Sequence, residues 1–129
     1  MKYIFILAIF ISRACFAQDP YEKKAQVAGA FYAAVIMTDE IKKGRCSSNL
    51  KINESWRDVA AAKREIYSHF PTKYHAELTE FFSAQQEKKL RKEFADMYSS
   101  IPTDKCKDLI DRVYWPDFDK AVRNWQAIR

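Results

Sequence analysis

The residues able to do chemistry are few, and their spacing serves it poorly. Two histidines, His69 and His75, stand six positions apart on either side of Pro71 in a chain of 129 residues. That arrangement does not set both on one helix face, as a pair of metal ligands would require. No HExxH and no CxxCH run occurs, so the patterns of a zinc protease and of a c-type haem protein are missing. Met97 and His69 have the chemistry to hold a b-type haem, but nothing around them singles them out. The sequence therefore implies no metal and no cofactor. There is no GxSxG elbow, and two glycines in the whole chain leave no phosphate-cradling loop. The 17 acidic residues fall mostly where solvated helix surfaces need them, as at Asp39-Glu40-Lys42-Lys43. These observations argue against an enzyme.

Two other clusters suit recognition better than catalysis. Lys88, Lys89, Arg91 and Lys92 form the densest basic run, with Lys88, Arg91 and Lys92 on a common helix face. Outside the cell such a patch could meet anionic polymers, lipid headgroups or an acidic protein. The plainer reading is a solvated face balanced by Glu87 and Glu93. Tyr114-Trp115-Pro116-Asp117-Phe118-Asp119 is the most distinctive stretch: three aromatics and two carboxylates around a proline expected to fix a corner between helices. Trp and Tyr are enriched among the residues that dominate interface energetics. Trp115, Asp117 and Asp119 are accordingly the candidate partner-binding residues. The competing reading puts Tyr114 and Phe118 in the core and makes Trp115 a lid over the corner.

The elements that must position these residues begin with a segment unlike the rest. MKYIFILAIFISRACFA has a basic start at Lys2, an apolar run from Tyr3 to Ile11, and small residues at Ala14 and Ala17. Those are the three parts of a secretory signal peptide. The run is shorter than the roughly 20 residues of a membrane span. Cleavage after Ala17 gives a mature chain of residues 18–129, read as a single domain. A lipoprotein with Cys15 acylated is the alternative, and Arg13 fits that cleavage site poorly. Removing Lys2 and Arg13 from 22 basic residues leaves twenty against 17 acidic ones, a formal charge of +3. Nucleic-acid binding does not follow from so mild a bias.

Cys15 leaves with the leader, so the mature chain keeps Cys46 and Cys106. In an oxidising compartment these are most simply read as one disulfide, stabilising the fold by roughly 3–4 kcal/mol in the chain-entropy model. Two free thiols are the alternative.

Asp19-Pro20-Tyr21-Glu22 reads as the start of a first helix that runs to Lys43 and stops at Gly44 in a left-handed cap. From Val27 to Met37 it carries no charge, which marks a central helix buried on several sides. Arg45 to Ile52 reads as a loop. A second helix is expected from Asn53 or Ser55 to about His69, ended by Pro71. Thr72 can cap the next, with Tyr74, Leu78, Phe81 and Phe82 inward. Residues 72–98 are either one long helix or two, with Ser83 capping the second and Gln86 at its third position. After Pro102, Thr103 or Asp104 can cap a helix carrying Cys106, Leu109, Ile110 and Val113 on one stripe. Pro116 is expected to interrupt it, with Asp117 capping a last helix that carries Phe118, Ala121, Val122, Trp125 and Ile128. No sustained alternating run occurs. The fold class is all-α, a compact bundle of five or six helices closed by one disulfide.

Together these features point to an exported, non-catalytic binding protein, periplasmic or secreted, whose partner is another protein. An inhibitor or immunity-type protein that occupies a toxin or hydrolase fits best. In architecture, not in motif, the chain resembles the small helical periplasmic immunity proteins that neutralise cell-wall amidase effectors. A carrier of small apolar ligands is the second possibility, its cavity lined by Phe31, Tyr32, Phe81, Phe82, Phe94 and Trp125. A structural or assembly subunit of an envelope or secretion machine is the third, and would show an exposed apolar strip.

Overall fold

A computed structural model describes residues 21–44, Cys46 and 58–129. The leader, the Asp19-Pro20 helix start, the loop around Ser47 to Ile52 and the expected helix start at Asn53 or Ser55 lie outside the described residues. All regular structure among the described residues is helical. Helix α1 spans Glu22–Lys43, α2 Val59–Ser68, α3 His75–Phe81 and α4 Ala84–Ser99. A fifth rod, α5, covers residues 106–128. Single 3-10 turns, Thr72–Tyr74 and Thr103–Lys105, lead into α3 and α5. The result is an all-α bundle of five helices closed by the Cys46–Cys106 disulfide, whose Cα atoms are 5.2 Å apart.

Helix α1 is central, as its uncharged middle requires. It packs against α2, α4 and α5, and every residue from Phe31 to Thr38 is buried. Ala28, Gly29, Ala33 and Ala34 are buried at positions where small side chains let neighbouring helices come close. Cross-helix contacts fix the directions. Tyr32 meets Glu87 and Asp39 meets Arg91, so α4 runs parallel to α1. Thr38 meets Tyr114 and Phe31 stacks on Trp125, so α5 runs antiparallel to it. The Lys24 ammonium donates to the His69 carbonyl, while Lys63 lies over the Tyr32 ring, so α2 is antiparallel as well.

Several helix ends depart from expectation. Gly44 is extended, with φ −104° and ψ −177°, not left-handed. Its N–H bonds the Ile41 carbonyl at 3.0 Å, so a tightened last turn does the capping and no positive φ is needed. Helix α2 opens at Val59, where Asp58 adopts an extended backbone and accepts from Ala61 N–H at 2.7 Å. Thr72 lies inside a 3-10 turn set by Pro71 and makes no cap. Ser83 does cap: its hydroxyl accepts from Gln86 N–H at 3.3 Å, and residues 72–98 therefore form two helices. Neither Thr103 nor Asp104 caps α5; both belong to the 3-10 turn after Pro102.

The largest departure is at Pro116. No corner forms there. Cys106–Leu109 passes into a π-helical turn, Ile110–Tyr114, and on into Trp115–Ile128 without a break. The buried residues explain the turn: Cys106, Ile110, Tyr114, Phe118 and Val122 recur at every fourth position. In an α-helix each such step drifts by about 40°, or about 160° from Cys106 to Val122, which would carry the stripe round to solvent. A π turn winds more slowly, at about 4.4 residues per turn, and takes back about half of that drift. Trp115 N–H bonds the Ile110 carbonyl, five residues back, and this wider spacing eases the proline ring past the preceding turn. Asp117 consequently sits in the first α-turn after the π segment instead of capping a separate helix.

Candidate functional site

The aromatic–acid stretch lies along the side of α5. Tyr114 is fully buried, and Trp115 is half-buried with its ring laid flat on the Tyr114 ring, 5.0 Å away at 9°. Phe118 meets both edge-on, at 5.7 Å and 5.5 Å. Below them the Tyr114 hydroxyl bonds Thr38 Oγ1, and Thr38 donates to the Ala34 carbonyl at 2.8 Å. Trp115 thus rests on a platform that is itself fastened to α1.

Asp119 is exposed one turn after Trp115. Asp117 is half-buried and engaged within the fold. The exposed acid on the other side of Trp115 is Asp111, which the sequence reading missed. Positions 111, 115 and 119 share a face once α5 is continuous, and a spacing of four would have revealed it. Pro116 is exposed beside them.

The basic cluster divides. Lys88 and Lys92 are exposed on the outer face of α4. Arg91 is turned inward and neutralised: its guanidinium bonds Asp39, reaches Glu87 Oε2 at 3.1 Å and lies 3.6 Å from Glu40. It is not offered to an anionic partner together with the two lysines. Glu87 Oε1 also accepts from the Tyr32 hydroxyl at 2.8 Å and lies 3.5 Å from Lys63, so α1, α2 and α4 meet in one polar network. Burial works to raise the Asp39 and Glu87 pKa values. The hydrogen bonds and charge of Arg91 outweigh it, helped by Lys43 at Asp39 and by Tyr32 and Lys63 at Glu87, and both carboxyls are held below their ordinary values. Burial, then the Glu87 bond, pushes the Tyr32 hydroxyl well above its ordinary value.

Both histidines serve helix ends. His75 Nε2 lies 3.0 Å from the carbonyls of Tyr67 and Phe70, so it carries the proton and satisfies the end of α2 from the first turn of α3. His69 Nδ1 lies 2.9 Å from the Glu65 carbonyl, and its ring stands edge-on to Trp125. No group of three or more potential metal ligands occurs among the described residues. Nor, among them, is any helix long and apolar enough to cross a membrane.

The aromatics that could line a carrier's cavity fill the core instead. Phe31 and Phe70 both stack with Trp125, at 5.8 Å and 6.5 Å, Tyr32 packs on Phe82 at 4.6 Å, and Phe94 is buried. A surface cleft of about 310 Å³ lies elsewhere, between the C-terminal turns of α1 and α4. No family model, curated protein or solved structure matches the chain.

Proposed function

We propose that this is an exported, non-catalytic protein that binds another protein, of the inhibitor or immunity type, and that it occupies a toxin or hydrolase. The observation that carries the reading is the seated Trp115 ring. It is half-exposed, held flat on buried Tyr114 and flanked by the exposed carboxylates of Asp111 and Asp119. A large aromatic side chain that is already ordered loses little conformational freedom on docking, which is what an anchor residue needs. The stacked core supports this reading over that of a carrier, because the rings proposed to line a chamber occupy the space themselves.

Native mass spectrometry of the mature protein, purified gently from its own source, tests the proposal. A stoichiometric complex with a second protein, weakened by Trp115→Ala or Asp119→Ala, is the expected result. A monomer that carries a few hundred daltons of small molecule would overturn it in favour of a carrier. A homo-oligomer would do so in favour of an assembly subunit.

A further inference from the structure

We infer that the surface met by Trp115 is cationic: an apolar pocket on another protein takes the indole, and basic side chains on its rim face Asp111 and Asp119. A second copy of this chain does not fit there. The inference rests on the partner-binding reading above and names the chemistry of what binds.

The buried stripe of α5 fixes a second row beside it. Lys107, Asp111, Trp115, Asp119 and Arg123 each stand one position after a buried residue of that stripe. The four charged members are exposed, and the indole between them is half-exposed. The π turn that keeps the buried stripe facing inward keeps this row straight as well, so it runs along one side of the rod. Four residues advance about 6 Å along a helix, so Trp115 has a carboxylate about 6 Å away on each side and a cation about 12 Å away on each side. The acids are available. Neither side-chain carboxylate makes an ion pair among the described residues, and Arg123 Nε donates to the Asp119 backbone carbonyl, at 3.3 Å. In the adjoining outer row, Arg112 pairs with Asp108 at 4.0 Å.

The order along the row is base, acid, indole, acid, base, and it reads the same in both directions. That symmetry decides against self-association. When two copies pair with their indoles opposed, acid meets acid and base meets base, whether the helices run parallel or antiparallel. A two-fold contact sets a patch against itself, so this row repels its own copy in both arrangements. Shifting the register by four residues brings opposite charges together but sets the indole against a charged side chain, and the anchor is lost. A surface that matches the row carries base where the row carries acid: two cations about 12 Å apart, on either side of an apolar pocket. The ring laid flat on Tyr114 enters that pocket already ordered. The two cations meet carboxylates that no described side chain neutralises.

The protein itself is the first probe. Asp119→Lys with Arg123→Glu alters only exposed side chains and makes the row complementary to its own antiparallel copy. Analytical ultracentrifugation at low salt should find the parent monomeric and this double variant self-associating at least about tenfold more tightly, with the gain lost on adding Trp115→Ala. The second probe is the partner recovered in the complex from the protein's own source. Asp111→Lys with Asp119→Lys should raise its Kd at least about tenfold, and added salt should raise the Kd of the parent. A parent that dimerises through Trp115, or a double variant no more associated than the parent, would overturn the inference. So would a partner that binds the reversed acids unchanged or more tightly; if Trp115→Ala still weakens it, the anchor reading stands and only the cationic surface falls. If Trp115→Ala has no effect, or no complex is recovered, both readings fall.

Discussion

The Tyr114 hydroxyl donates to Thr38 Oγ1 in the middle of the core, joining the π-helical turn of α5 to the centre of α1. The direction follows from Thr38, whose own proton is spent on the Ala34 carbonyl at 2.8 Å. The two ends of the bond are therefore unequal. Thr38→Val leaves a buried phenol with no acceptor and should cost about 1–3 kcal/mol. Tyr114→Phe leaves Thr38 still bonded to Ala34 and should cost about 1 kcal/mol. The double variant should be no less stable than Thr38→Val alone. Urea unfolding of the four proteins checks the order, and additive losses would show that the pair is not coupled.

The network around Arg91 sets the acid limit of the fold. Asp39 and Glu87 have folded pKa values below their ordinary 3.8 and 4.5, so the unfolded chain binds protons more readily at these positions. Their contribution is present above the ordinary values and is lost as pH falls through the folded ones. Arg91→Met leaves Asp39, Glu40 and Glu87 facing one another without the guanidinium. Its acid-unfolding midpoint, followed by circular dichroism, should lie at higher pH than that of the parent, whereas Lys88→Met should not move it.

The alkaline limit has a different origin. Burial raises Tyr32, Tyr98 and Tyr114 above the ordinary 10.0. Each folded phenol holds its proton more tightly than the unfolded one does, so stability is full below pH 10 and falls as pH rises through the folded values. The phenolate absorbance of these three should therefore rise cooperatively, together with loss of helix. A single non-cooperative titration would contradict their burial.

The π turn shows how far the sequence could be read. Its pattern was visible all along in Cys106, Ile110, Tyr114, Phe118 and Val122, yet Pro116 carries the stronger local signal and suggests a break. Only the demand that all five side chains be buried favours a wider turn over a corner. Ser83 was legible as a cap because its signal is local, while Arg91 was not, since nothing in the run from Lys88 to Lys92 separates one cation from the next. Its partner Asp39 lies 52 residues away, and only packing brings them together. Deleting exposed Asp111 removes the extra residue that the π turn accommodates, so the segment should close as an ordinary α-helix with Cys106 turned by only about 30° relative to Tyr114. The stripe then stays on one face, and the deletion should melt close to Asp111→Ala, an ordinary surface change within about 0.5 kcal/mol; a collapse of Tm on deletion would contradict this account of the π turn.

Trp115 separates the two meanings of the aromatic stretch. If the ring serves only as a lid over Tyr114 and Phe118, its truncation acts on folding alone. Trp115→Ala would then lower stability by about 1–3 kcal/mol from lost apolar contact, and any partner would bind as before once the protein is folded. If the ring is an anchor, Trp115→Ala should weaken a partner by about 2 kcal/mol or more, roughly thirtyfold in Kd. Asp119→Asn should then reduce the association rate with little effect on Tm, since an exposed charge at an interface edge acts mainly on encounter. Asp117→Asn is the control: half-buried and engaged within the fold, it should change stability first. Kd and Tm measured on the same three variants decide the matter, because a lid moves only Tm and an anchor moves Kd by more than its Tm predicts.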